Sequence, residues 1–158
     1  MARTLLGLVA AGVLAAGLGS QVASAQVCRL DSMLKYSADH AAVKLEFNIA
    51  QVSISGGVTP SLLDLTSVWL TVEPGERVTA GQEVGMATFV AADFPLIAPV
   101  SGTIGSLNDA VDSNPEIAVR DPYGAGWVYK ITLTTDEDLA TFSTLLSVDE
   151  YRELDECP

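Results

Sequence analysis

The sequence predicts a mainly β domain, a small barrel or sandwich, closed by short C-terminal helices. First, apolar residues recur in short strand-length runs broken by Gly- and Pro-containing turns. Second, the period changes to helical near Thr135, where Leu139, Phe142, Leu145 and Leu146 fall at helix spacing. Third, 158 residues with 49% hydrophobic content can build one domain with a core and are too few for two.

The opening segment is set apart from that domain. Arg3 is followed by an uncharged Leu/Val/Ala/Gly run from Leu5 to Leu18 and a small, polar exit ending in "ASA". That order is the pattern of a secretory signal peptide, with cleavage expected after Ala25. The run is too short and too Gly-rich to span a bilayer comfortably, and a mitochondrial presequence would carry more Arg. Val27 before Cys28 argues against a lipoprotein. The expected organisation is a signal over residues 1–25 and one domain over residues 26–158.

The elements follow in order. "YSADHAAVKLEFNIAQVSI" predicts two short strands, near Val43–Phe47 and Gln51–Ile54. "SGGVTPSLLDL" reads as a loop, "TSVWLTV" as a strand and "EPGE" as a turn. "RVTAG" is a very short strand and "QEVGMATFV" a longer one, followed by "PLIAPV" and "GTIGSL". "NDAVDSNPE" reads as a polar loop, "IAV" as a short segment, "RDPYGAG" as a turn and "WVYKITLT" as the last strand. Thr135 can cap the first C-terminal helix, whose opening acids suit the helix dipole. "SVDE" from Ser147 is a capping box for a second helix through Leu154. "EPGERVTAGQEVGMATF" and "APVSGTIGSLNDAV" echo one another, as two related halves around a hairpin would.

Charge and cysteines narrow the partners. The formal charge is −12, and removal of residues 1–25 takes away one Arg and makes it −13. Such a surface repels nucleic acid and anionic membranes, so no nucleic-acid partner and, after signal cleavage, no membrane partner is expected. A protein partner would be neutral or basic. Cys28 and Cys157 stand at the two ends of the mature chain. In an oxidising compartment they read as one disulfide clasping the termini, with free thiols or interchain bridges as the alternatives. Closing so long a loop would stabilise by about 4–5 kcal/mol in the chain-entropy model.

The hairpin "GQEVGMATFVAADFPLIAPVSGTIG", Gly81 to Gly105, poses the functional question. Its middle has no charged nucleophile and is apolar: Phe89, Val90, Ala91, Ala92, Phe94, Pro95 and Leu96. Either Phe89, Val90, Ala91 and Phe94 form a docking knob, or Phe89 and Leu96 face inward and the tip has no contact role. A metal at His40 and Asp39, or calcium at Asp136–Asp138 or Asp155–Glu156, lacks the ligand spacing such sites need. His40 reads instead as a locally hydrogen-bonded residue at the start of a strand. One His and two terminal Cys give no nucleophile–base arrangement, so no catalytic residue is assigned. Trp69 and Trp127 read as core aromatics.

Together, "YSADH", "PGERVTAGQEVG", "APVSGTI", "NDAVDSNPEIAVRDPYGAGWVYKITL" and "LLSVDEYREL" resemble the H protein of the glycine cleavage system, in the lipoyl/biotinyl-domain superfamily. The resemblance covers nearly the whole mature chain. It implies a barrel-sandwich hybrid of two antiparallel sheets with C-terminal helices. It also implies a carrier role, in which a lysine on a hairpin tip bears lipoate and serves the glycine cleavage enzymes. The family's tip motif, similar to Glu-Ser-Val-Lys-Ala, falls on Thr88 to Ala92 and puts the lipoyl-lysine position at Ala91. No lysine lies between Lys44 and Lys130. The family's Glu and Trp after "DH" are here Ala41 and Ala42. The expectation is therefore a secreted or periplasmic H-protein-like domain without lipoate or another cofactor, acting as a non-enzymatic binding or structural module. The alternative is a lipoyl-type carrier modified elsewhere, at Lys130 or Lys35.

Overall fold

A computed structural model describes residues 28–58 and 64–155. The signal-like segment 1–25, Cys157, Glu156 and part of the loop before Asp64 lie outside the described residues. Among the described residues, nine strands form two antiparallel sheets. The larger runs β1-β2-β3-β9-β8-β5: Lys35–Tyr36, Ala41–Glu46, Ile49–Ile54, Tyr129–Thr132, Gly102–Leu107 and Arg77–Val78. The smaller runs β4-β6-β7: Leu65–Leu70, Glu83–Phe89 and Asp93–Ile97. Their inner faces share one core, with Val43, Val52, Ile54, Ile104 and Ile131 from the larger and Leu65, Val68, Val84, Ala87 and Phe89 from the smaller. This is the layered β architecture that short alternating strands dictate.

The first hairpin is displaced from its expected place. β2 begins at Ala41 and ends at Glu46, and Phe47 is in the turn. Glu46 pairs with Ile49, leaving Phe47 and Asn48 as the two-residue connection. Phe47 takes φ 57°, a left-handed conformation costly for a side chain with Cβ, and is fully exposed. The two echoed segments meet: Arg77 pairs with Thr103 and Val78 with Gly102.

The expected polar loop "NDAVDSNPE" contains a short helix, α1 (Asp109–Ser113). Asn108 caps it by accepting from the Ala110 N–H, and Val111 anchors it in the core. The short segment "IAV" belongs to a one-turn helix, α2 (Ile117–Arg120). Asn108 caps the first, Glu116 makes no side-chain cap bond to the second, and one buried residue in each, Val111 and Ala118, seats a single turn on the core.

Both C-terminal helices stand where their caps predict. α3 (Asp136–Ser143) opens with a capping box between Thr135 and Asp138. α4 (Val148–Asp155) opens with Ser147 and Glu150, whose carboxylate accepts from the Ser147 N–H at 2.7 Å. Tyr36 and Leu146 exchange backbone hydrogen bonds of 2.9 and 2.8 Å. Tyr36 also stacks on Tyr151, ring centroids 4.8 Å apart. A second, smaller core of Leu34, Tyr36, Ala42, Val148 and Tyr151 results.

Candidate functional site: the β6–β7 hairpin tip

The hairpin that raised the question is built from the middle strand of the small sheet and one edge strand. Ala87 pairs with Phe94 and Thr88 with Asp93. The Phe89 N–H donates to Ala92 C=O at 3.0 Å, closing the turn around Val90 and Ala91. The Val90 N–H donates to Asp64 C=O at 3.0 Å, tying the tip to the lead-in of β4. Neither turn residue needs a positive φ. Backbone bonds on both sides of β6 therefore present the tip on a fixed scaffold.

What it presents is hydrocarbon. Ala91 and Ala92 are exposed, and Val90 is 63% exposed. Ala91, the position aligned by resemblance with the lipoyl-lysine, has a methyl group where an amide-forming carrier needs an amine. Phe89 departs from the docking-knob expectation: it is 3% exposed and packs in the main core, so strand alternation turns it inward beneath the tip. Leu96 is likewise buried. Phe94 is half-buried, its ring 5.8 Å from that of His40. The outward apolar surface of the turn is Val90, Ala91 and Ala92, with Pro95 also exposed on β7.

The chain's lysines are elsewhere. Lys35, Lys44 and Lys130 lie on β1, β2 and β9 of the larger sheet. Lys44 pairs with Glu46 at 2.7 Å and holds that carboxyl below its ordinary value. Lys130 sits 4.6 Å above the ring of Trp127, a cation–π contact.

Other candidates resolve into structural roles. His40 is bonded locally through its backbone, its N–H donating to Ser37 C=O at 3.1 Å, and its ring Nδ1 also lies 2.6 Å from the Tyr151 hydroxyl on α4. Asp138 is fully buried, and the Arg77 guanidinium donates to it at 2.6 Å. This contact, aided by the N–H groups of Thr134 and Thr135, overcomes desolvation and holds the carboxyl well below the ordinary carboxylate range. Among the described residues, no group of three His, Cys, Asp or Glu side chains could hold a metal ion. Cys28 is disulfide-bonded; Cys157 lies outside the described residues.

Neither tryptophan is a core residue as expected. Trp127 is half-buried under Lys130, and Trp69 is 54% exposed on β4. A register shift between Leu65 and Ser67 sets the phase of β4, so Leu65 and Val68 face the core and Trp69 faces out. Strand composition alone does not carry that phase, and no signal in "TSVWLTV" marks it.

The comparisons agree with this geometry. The model of the family described as "Glycine cleavage H-protein" matches residues 34–156. The chain is 36% identical over 119 residues to the glycine cleavage system H protein of Alcanivorax borkumensis, covering 75% of this chain and 90% of that one. It is 39% identical over 121 residues to that of Bifidobacterium longum, covering 77% and 84%. The crystal structure of a glycine cleavage system H protein from Mycobacterium marinum superposes with a TM-score of 0.71 at 31% identity, covering 80% of this chain and 99% of that one. H proteins are carriers rather than catalysts, which agrees with the lack of an assigned catalytic residue. With its two sheets, its C-terminal helices and these relatives, the chain belongs to the glycine cleavage H-protein family.

Proposed function

We propose that this protein is an exported H-protein-like domain that carries no lipoate and acts as a non-enzymatic binding or structural module. The observation behind this reading is the tip itself: Val90, Ala91 and Ala92 offer no amine, and no lysine occurs between Lys44 and Lys130. An amide to lipoate requires a primary amine that a ligase can reach. The signal-like residues 1–25 support export to a secreted or periplasmic location, and a disulfide between Cys28 and Cys157 would suit an oxidising compartment. The partner would be a protein. The acidic surface disfavours nucleic acid, and no helix among the described residues is long and apolar enough to cross a membrane.

A second reading has its own support. The chain matches 84–94% of the length of its curated relatives, so the whole domain is retained, as a working aminomethyl carrier among the glycine cleavage enzymes would need. That carrier would have to be modified elsewhere, and Lys35 and Lys130 are the candidates.

The intact mass of the protein purified from its native host, before and after reduction, separates the two. The module reading expects the mass of residues 26–158, rising by two hydrogens on reduction. A lipoyl-sized adduct, or an uncleaved chain with free thiols, would return the protein to the carrier class.

A further inference from the structure

We infer that the groove between β4 and α1 docks an extended, basic segment of a protein partner, with an apolar side chain seated against Trp69. The groove holds about 670 Å³ of empty space, part of it open to solvent, against about 250 Å³ of such space for the cleft beside His40 and Phe94. Trp69, Leu107 and Val111 give it apolar walls, and Asp109 and Asp112 of α1 also line it. Neither aspartate is in an ion pair among the described residues.

Three features select the occupant. β4 is an edge of the small sheet, and an edge strand is a template for adding an extended chain. Trp69 stands on that edge 54% exposed, the type of side chain that anchors protein interfaces. The two exposed carboxylates, in a protein of net charge −12, complement Lys or Arg flanking the apolar anchor and oppose an acidic segment. Asn108 does not compete for the ligand, because its amide already donates to the carbonyls of Ala125 and Trp127.

This inference deepens the binding-module reading and rests on it only for the existence of a partner. Its test reads groove occupancy, whereas the mass measurement reads lipoate, so either can fail alone. The purified, isotopically labelled protein is titrated with a short peptide of alternating Leu and Lys while backbone amide and indole resonances are followed. Two control peptides replace every Lys with Glu or every Leu with Ser. Saturable shifts centred on β4, α1 and the Trp69 indole are expected with the Leu/Lys peptide alone. Trp69→Ser and the double change Asp109→Asn with Asp112→Asn each alter only exposed side chains. Each should weaken binding at least about tenfold, as loss of an interface anchor does. The aspartate changes should also flatten the salt dependence. Absence of shifts, shifts spread over the acidic surface and indifferent to Trp69→Ser, or sedimentation showing a dimer through this face would each overturn the inference.

Discussion

The two edges of the small sheet share one central strand and differ in almost everything they present. On one side of β6 lies β7, with the tip above it and Pro95 within it. Proline has no N–H to offer an added strand, so this edge is blunted against pairing. On the other side lies β4, with an exposed tryptophan and an acid-rimmed groove beside it. Gly85 permits the close approach of β6 to this edge, since a Cβ there would meet the Trp69 carbonyl at 2.3 Å. The contrast is one of chemistry presented on a shared scaffold: the tip exposes Val90, Ala91 and Ala92, while the opposite edge exposes Trp69 beside Asp109 and Asp112.

The largest effect that could break this contrast is a gain of chemistry. Ala91→Lys places an amine on an exposed, backbone-braced turn and should change stability by no more than about 0.5 kcal/mol. With Thr88→Glu and co-expressed lipoate ligase, it should acquire a lipoyl adduct detectable by mass, while the unaltered chain acquires none. Failure to load would mean the tip is closed to the ligase for reasons beyond the missing amine.

Next comes the foundation beneath the tip. Phe89→Ala empties a core position and should cost about 3–5 kcal/mol in chemical denaturation. Val90→Ser, one residue on, should stay within about 0.5 kcal/mol. Similar losses from both would contradict the division between buried base and exposed tip.

A smaller effect belongs to the larger sheet and should leave both edges alone. Asp138→Asn removes the buried carboxylate that caps α3 and holds Arg77, and should cost about 1–2 kcal/mol, the scale of a lost helix cap. Because Arg77 is half exposed, the ion pair itself adds little. The Asp138 carboxyl is depressed from its ordinary 3.8 in the folded state. Its contribution is therefore complete above that ordinary value and is lost as pH falls below it toward the folded-state value. The difference between the parent and Asp138→Asn should be constant near neutrality and shrink below about pH 4. A difference that widens on acidification would reverse that assignment.

The smallest effect sharpens the meaning of exposure. Phe47 is barer than Trp69, fully exposed against 54%, but lies on a two-residue turn with φ 57°. Phe47→Gly should stabilise by about 0.5–1 kcal/mol by relieving the left-handed strain, read as a raised melting temperature. It should not alter binding of the Leu/Lys peptide.

Much of the fold was legible because its signals are local. Thr135 and Ser147 mark helix starts through caps within four residues, and the turn at Pro74 and Gly75 is marked by its own residue types, though Gly75 N–H also donates to Ile104 C=O. The polar run from Asn108 to Glu116 misled for a related reason. Its Asn, Asp and Pro residues favour turns, yet Asn108 caps one helical turn and the burial of Val111 and Ala118 holds two such turns on the core. The site was half legible. The missing amine at Ala91 is written in the chain, but the inward face of Phe89, the outward face of Trp69 and the reach of His40 to Tyr151 are not.

By itself the sequence determined composition, caps, the order of strands and the absence of an acceptor lysine near the tip, because each depends on residue identity or near neighbours. Tertiary structure alone decided which side of each strand faces water and which edge is open. Strand phase is set by pairing register, and one shifted pair between Leu65 and Ser67 turns every following side chain of β4 to the opposite face.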